Sequence, residues 1–162
     1  MGWLYSERWP TRKDLIDHIT TQTPTLKHCC TGNNLWCVHE VKGIRFVCLY
    51  LMQFHGGSFK YWGYKDVDES TGPHYFNCPL SYLEGLTEPC NDYSRDWREE
   101  VRKHHARRNR KLKVNDKIRY GGNDYQVCEV NGNAVYSVTQ LPHQGLVYRL
   151  KRSQLSKVEI VT

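Results

Sequence analysis

The chain has 162 residues, 39% of them hydrophobic, 12% aromatic and 25% charged, with a formal net charge of +6. That length suits one domain or a domain with a small module, and that composition excludes a disordered, collagen-like or membrane-embedded chain. No apolar run reaches the ~18 residues of a transmembrane helix, and the N-terminal residues lack the basic-then-apolar order of a secretory signal.

The first predicted element is a helix from about Arg12 to Thr20. Thr11 is a good N-cap, with Pro10 just outside, and Asp14 completes a near capping box. Leu15, Ile16 and Ile19 supply one apolar face, and Thr20-Thr21-Gln22-Thr23-Pro24 ends the helix. Strands follow over Thr25 to Thr31, Leu35 to Val41, Ile44 to Gln53 and Phe59 to Tyr64. Turns at Gly32-Asn33-Asn34, Lys42-Gly43 and His55-Gly56-Gly57 separate them. Strands so close in sequence pair antiparallel, as a meander. In the third, Ile44, Phe46, Cys48, Tyr50 and Met52 share one face and Val47, Leu49 and Leu51 the other. Both faces are apolar, which predicts a central strand covered on both sides, with the first helix over one.

Pro79 is placed to open a short helix, Leu80 to Gly85, which Leu86-Thr87-Glu88-Pro89 breaks. A longer helix, capped by Asp92 or Ser94, runs to about Arg110 with a narrow apolar stripe of Trp97, Val101 and His104 or His105. The remainder reads as a small β unit with strands Lys117 to Tyr120, Tyr125 to Val130, Ala134 to Val138, Leu146 to Leu150 and Val158 to Val161. Gly121-Gly122-Asn123-Asp124 and Asn131-Gly132-Asn133 are its hairpin turns, and Arg152-Ser153-Gln154-Leu155 is a single helical turn before the last strand. The expected architecture is therefore α+β. An N-terminal helix packs on an antiparallel meander sheet over 1–90, a basic linking helix covers 91–111, and an SH3-like β-barrel covers 112–162. The barrel is a fold analogy and fixes no function.

Charge is uneven. Residues 1–90 hold 8 Lys+Arg and 9 Asp+Glu, whereas 91–162 hold 15 and 8, a net +7. Attraction for an acidic partner belongs to the second half. Arg102, Lys103, Arg107, Arg108, Arg110 and Lys111 are the expected contacts to DNA, RNA or an acidic protein surface, with Lys113, Lys117 and Arg119 extending them. Aromatics are not interleaved along this helix, so single-strand stacking is not expected from it.

The segment from Tyr61 to Pro73 follows neither a helical nor a strand period and mixes aromatics, acids and glycines. Tyr61, Trp62, Tyr64, Lys65, Asp66, Asp68 and Glu69 are its expected binding residues, the rings as anchors and the acids for specificity. The same acids are hard oxygen donors, but they lack the spacing of a calcium loop, and no metal or other cofactor is expected. Cys78 with His74 or His55 is the one nucleophile-and-base pair to consider; a packed structural cysteine is the simpler reading. Seven cysteines, an odd number, with no Cys-x-x-Cys pair, point to free thiols in a reducing cytoplasm. A zinc site from His28, Cys29, Cys37 and His39 is the alternative considered and set aside.

Residues 1–13 and the block Trp62-Gly63-Tyr64-Lys65-Asp66-Val67-Asp68-Glu69-Ser70-Thr71-Gly72-Pro73, closing at Cys78-Pro79, resemble a family of small proteins carried by phages, plasmids and prophages. Asp96-Trp97-Arg98-Glu99-Glu100-Val101-Arg102 is similar as well. The family carries no established activity, so the resemblance transfers no catalytic residue. It implies a bacterial host cytoplasm and an accessory role. The expected function is binding: inhibition or modulation of a host nucleoprotein or defence complex, in the manner of an anti-CRISPR protein, without membrane contact. The alternatives are a cysteine- or metal-dependent enzyme acting on nucleic acid or protein, and a DNA-binding transcriptional or packaging accessory.

Overall fold

The computed structural model describes residues 2–3, 8–65, 75–89, 91–132, 135–143 and 145–161, with backbone alone at 2–3 and 62–65. It is an α+β structure that divides into two units, Met1–Val101 and Arg102–Thr162, each built on a five-stranded antiparallel sheet.

In the first unit, helix α1 (Arg12–Gln22) starts where Thr11 turns extended and its hydroxyl accepts from the Asp14 amide at 3.1 Å. It ends two residues later than the sequence predicts. The Thr20 and Thr21 hydroxyls bond back to the Ile16 and Asp17 carbonyls, and Pro24 forces only Thr23 out of the helical region. The sheet runs β1 (Gly2–Trp3), β5 (Ser58–Lys65), β4 (Ile44–His55), β3 (Asn34–Val41), β2 (Thr25–Thr31). The last four form the expected meander. β4 continues past Gln53 because Gly56 and Gly57, at φ of 60° and 77°, make a two-residue turn that pairs His55 with Ser58.

β4 is central and covered on both faces. Phe46, Cys48, Tyr50 and Met52 pack with Leu35, Cys37 and Tyr61 under Leu15 and Ile19 of α1. Val47 and Leu49 pack with Trp36, Val38, Cys78, Tyr82, Leu83, Trp97 and Val101 on the other side. The expected helix at Leu80 is a single 3₁₀ turn, Leu80–Tyr82, in which Leu83 N donates to the Leu80 carbonyl. Helix α2 (Asp92–Asn109) is capped by Asn91 rather than by Asp92 or Ser94. Asn91 Oδ1 accepts from Ser94 N at 2.8 Å. The first unit ends within this helix, at Val101. The earlier turns bury Ser94, Trp97, Arg98 and Val101, and Trp97 stacks on Trp36 with centroids 6.4 Å apart.

The second unit begins with the rest of α2 and orders its strands β10 (Glu159–Ile160), β6 (Lys117–Tyr120), β7 (Asn123–Asn131), β8 (Val135–Gln140), β9 (Val147–Leu150). A 3₁₀ segment, Arg152–Lys157, precedes β10. Ile118, Val127, Tyr136, Val138, Leu150, Leu155 and Val158 form the core. In place of a closed barrel, the sheet is open among the described residues. β10, two residues long, pairs only with β6, and β9 only with β8. Among the described residues no helix is long and apolar enough to cross a membrane.

Candidate functional site

Asp66, Asp68, Glu69 and His74 lie outside the described residues, and Trp62, Tyr64 and Lys65 are described only as backbone of β5. Tyr61 is 6% exposed. The register pairs it with Met52, which turns it toward α1, and its ring meets Tyr50 edge-on with centroids 5.5 Å apart. Burial raises its phenol above the ordinary tyrosine range. Tyr61, expected as a partner-facing anchor, is thus a core residue, and the cause is strand alternation: Phe59 and Tyr61 share the face opposite Lys60.

Cys78 is fully buried between the sheet and α2, with Trp36, Trp97 and Val101 in the same cluster. Its thiol donates to the Pro79 carbonyl at 3.7 Å. His55 stands exposed at the end of β4. The zinc ligands set aside above are spoken for or dispersed. His39 is fully buried and uses both ring nitrogens, Nδ1 with Thr25 Oγ1 at 3.0 Å and Nε2 with Tyr50 OH at 2.9 Å. Burial pushes the Cys37 thiol pKa up, and His28 is exposed. Among the described residues no cluster of three His, Cys, Asp or Glu is placed to hold a metal.

The basic residues are where the charge is. Arg102, Lys103, Arg107, Arg108 and Lys111 are exposed, and Arg110 is half-buried. Among the described residues no acid forms an ion pair with Arg102, Arg107, Arg108 or Lys111. Arg107 and Arg108 occupy the last turn, the end that the helix dipole makes favourable for cations. Arg110 closes that turn, its amide and Nε both donating to the Arg107 carbonyl. One turn earlier, His104 has its pKa lowered by burial first and then by His105, Arg108 and Arg107. Arg119 is different: Asp124 accepts from its Nε at 2.7 Å and its Nη2 at 3.2 Å, so its charge is already met.

The same unit holds a pocket of about 150 Å³ over the sheet. Ile118, Val138 and Leu150 line it as buried residues, Tyr120 and Tyr125 as half-buried ones, and Tyr148 and Arg149 as exposed ones. Tyr125 and Tyr148 meet edge to face, 5.8 Å apart and 82° between planes. Gln154, also on the lining, is fixed at both ends of its amide. Its Oε1 accepts from Lys151 N at 2.8 Å and its Nε2 donates to Tyr120 OH at 2.9 Å. Two residues earlier in this 3₁₀ segment, Arg152 donates to Asn109 Oδ1 at 3.0 Å, tying the end of α2 to the element that carries Gln154. The sequence reading found the basic residues and missed these aromatics. Their signal was tyrosine at Tyr120, Tyr125 and Tyr148 within three of the predicted strands, but facing depends on register.

Comparison with known family models, with curated proteins and with solved structures returns no match to this chain.

Proposed function

We propose that this protein acts by binding, and that its second unit engages a polyanion, either nucleic acid or a host nucleoprotein complex. Charge carries the reading. Arg102–Thr162 holds 13 Lys+Arg against 4 Asp+Glu, a net +9, while Met1–Val101 holds 10 against 13, a net −3. With its excess of cations confined to one unit, the chain concentrates positive field on one part of its length, which suits a phosphate backbone. The strand order β10-β6-β7-β8-β9 with a 3₁₀ turn before the last strand supports an SH3-like reading of this unit. The resemblance to phage- and plasmid-borne proteins supports the wider setting: an accessory protein of a mobile element, working in the bacterial cytoplasm to modulate a host nucleoprotein or defence complex.

Mobility shifts with DNA and RNA test the reading. Between about 50 and 200 mM salt, affinity should fall by at least ~100-fold, because several phosphate contacts release counterions together. Affinity that is flat with salt, or no binding to either polymer and no nuclease-sensitive partner on purification from the host, overturns it.

A further inference from the structure

The structure assigns the tyrosine-lined pocket of the second unit a ligand: one unpaired nucleobase of a single-stranded DNA or RNA, with Arg149 on its backbone. The assignment rests on the polyanion reading above and sharpens it from any phosphate polymer to a single strand.

Four observations converge. The first is size. A cavity of ~150 Å³ accommodates one six-membered ring and falls short of a drug-sized ligand, and this pocket is of that size. A pyrimidine fits it better than a purine does. The second is surface. Ile118, Val138 and Leu150 are at most 3% exposed and offer an apolar floor, while Tyr148, 43% exposed, offers a ring that solvent already reaches. A base has a π-face whatever its sequence, so an accessible tyrosine ring beside an apolar floor is a stacking platform.

The third observation is polar chemistry. Tyr120 OH already accepts from Gln154, which leaves its own hydrogen free to donate to a base carbonyl. Gln154 is held in place by the Lys151 amide, so Tyr120 keeps its geometry without a ligand. The fourth is charge. Arg149 is exposed at the pocket and forms no ion pair among the described residues, and the unit around it is strongly basic. Through the Arg152–Asn109 hydrogen bond, the 3₁₀ segment beside the pocket is joined to the turn that carries Arg107 and Arg108. A strand whose base enters the pocket therefore has cations for its phosphates on the same unit. A proline-rich or acidic peptide would use the rings or the charge, but it does not call for both a one-ring floor and a polyanion field.

The test uses the full chain and fluorescence anisotropy with labelled oligothymidylate, oligouridylate, oligoadenylate and a mixed-sequence duplex. The wild type should prefer the pyrimidine single strands to oligoadenylate and to the duplex; the thymidylate and uridylate arms separate DNA from RNA. Tyr148→Ala should weaken single-strand binding by about tenfold or more and leave duplex binding unchanged. Tyr148→Phe should restore it, and thermal melts of both variants confirm the fold. Tyr148→Ala that binds single strands as the wild type does, while salt-sensitive binding persists, overturns the pocket and spares the polyanion reading. A wild type that binds no nucleic acid overturns the pocket assignment, and overturns the polyanion reading as well when purification from the host recovers no nuclease-sensitive partner. Perturbation of the Tyr148 and Arg149 resonances by a proline-rich peptide, and not by oligothymidylate, also overturns the nucleobase assignment.

Discussion

Tyr50 donates its phenolic hydrogen to Nε2 of His39, 2.9 Å away on the neighbouring strand. Thr25 fixes the direction. Its single hydroxyl hydrogen goes to the Thr23 carbonyl at 2.8 Å, so Oγ1 can only accept from His39 Nδ1. The proton of the neutral ring therefore sits on Nδ1 and Nε2 is the acceptor. Burial also pushes the Tyr50 phenol far above its ordinary range, which keeps the donor protonated. Tyr50→Phe keeps the shape and leaves a buried acceptor unmet, so it should cost about 1–3 kcal/mol in urea unfolding. An unchanged midpoint would mean that the Tyr50–His39 hydrogen bond adds nothing to stability.

The same pair makes stability depend on pH. Burial lowers the His39 pKa below 6.5, so the folded state holds the ring neutral while the unfolded state protonates it. As pH falls from 6.5 toward the folded value, the unfolded chain binds one more proton. Stability contributed by the neutral ring is thus present above 6.5 and lost below, at up to about 1.4 kcal/mol per pH unit within that window. Unfolding midpoints measured at several pH values should show this slope in the wild type. His39→Gln should flatten it by one proton's worth, and identical slopes would refute the account.

The helix that was expected to link two domains contributes its first half to a core. Trp97 is 5% exposed, stacks on Trp36 and donates through Nε1 to the Tyr75 carbonyl at 3.1 Å. Trp97→Ala should destabilise the first unit by about 3–5 kcal/mol. Chemical denaturation monitored by tryptophan fluorescence reads this out. A linker role predicts a loss near zero.

Exposed cations on the later turns of α2 should act on nucleic acid in proportion to their number. Arg107→Ala with Arg108→Ala should lower the slope of log affinity against log salt by about 2, uniformly across sequences. The melting temperature should stay within error, since both side chains are exposed. A slope equal to the wild type's would mean that neither guanidinium meets a phosphate.

How legible this chain was depended on the range of the interaction. Thr11 with Asp14, Lys42-Gly43 and Gly56-Gly57 act within a few residues, and the helix start and hairpins they predict are present. The doubly apolar run of β4 also carried its own meaning. β1 was not readable, because two residues pairing with Tyr64 and Lys65 leave no period in the sequence. The fate of Tyr61 depends on its pairing with Met52, and the pocket depends on pairings such as Val138 with Tyr148 and Ile118 with Tyr125. Those registers are fixed by the residue at which each hairpin closes and by which face the core then covers, and composition alone encodes neither. The division of α2 was hidden for the same reason: Trp97 and His104 look alike on a helical wheel until the sheet beneath one of them is known.

Ile118, Val138 and Leu150 belong at once to the core of the second unit and to the lining of its pocket. This double duty constrains how the chain can change over generations. A substitution in that apolar floor alters the recognition surface only by also loosening the fold, so drift there is penalised twice. Tyr148 and Arg149 stand at the solvent side and carry no such burden. Divergence in what the pocket accepts should therefore collect at those two adjacent positions on β9, while the floor beneath them stays fixed.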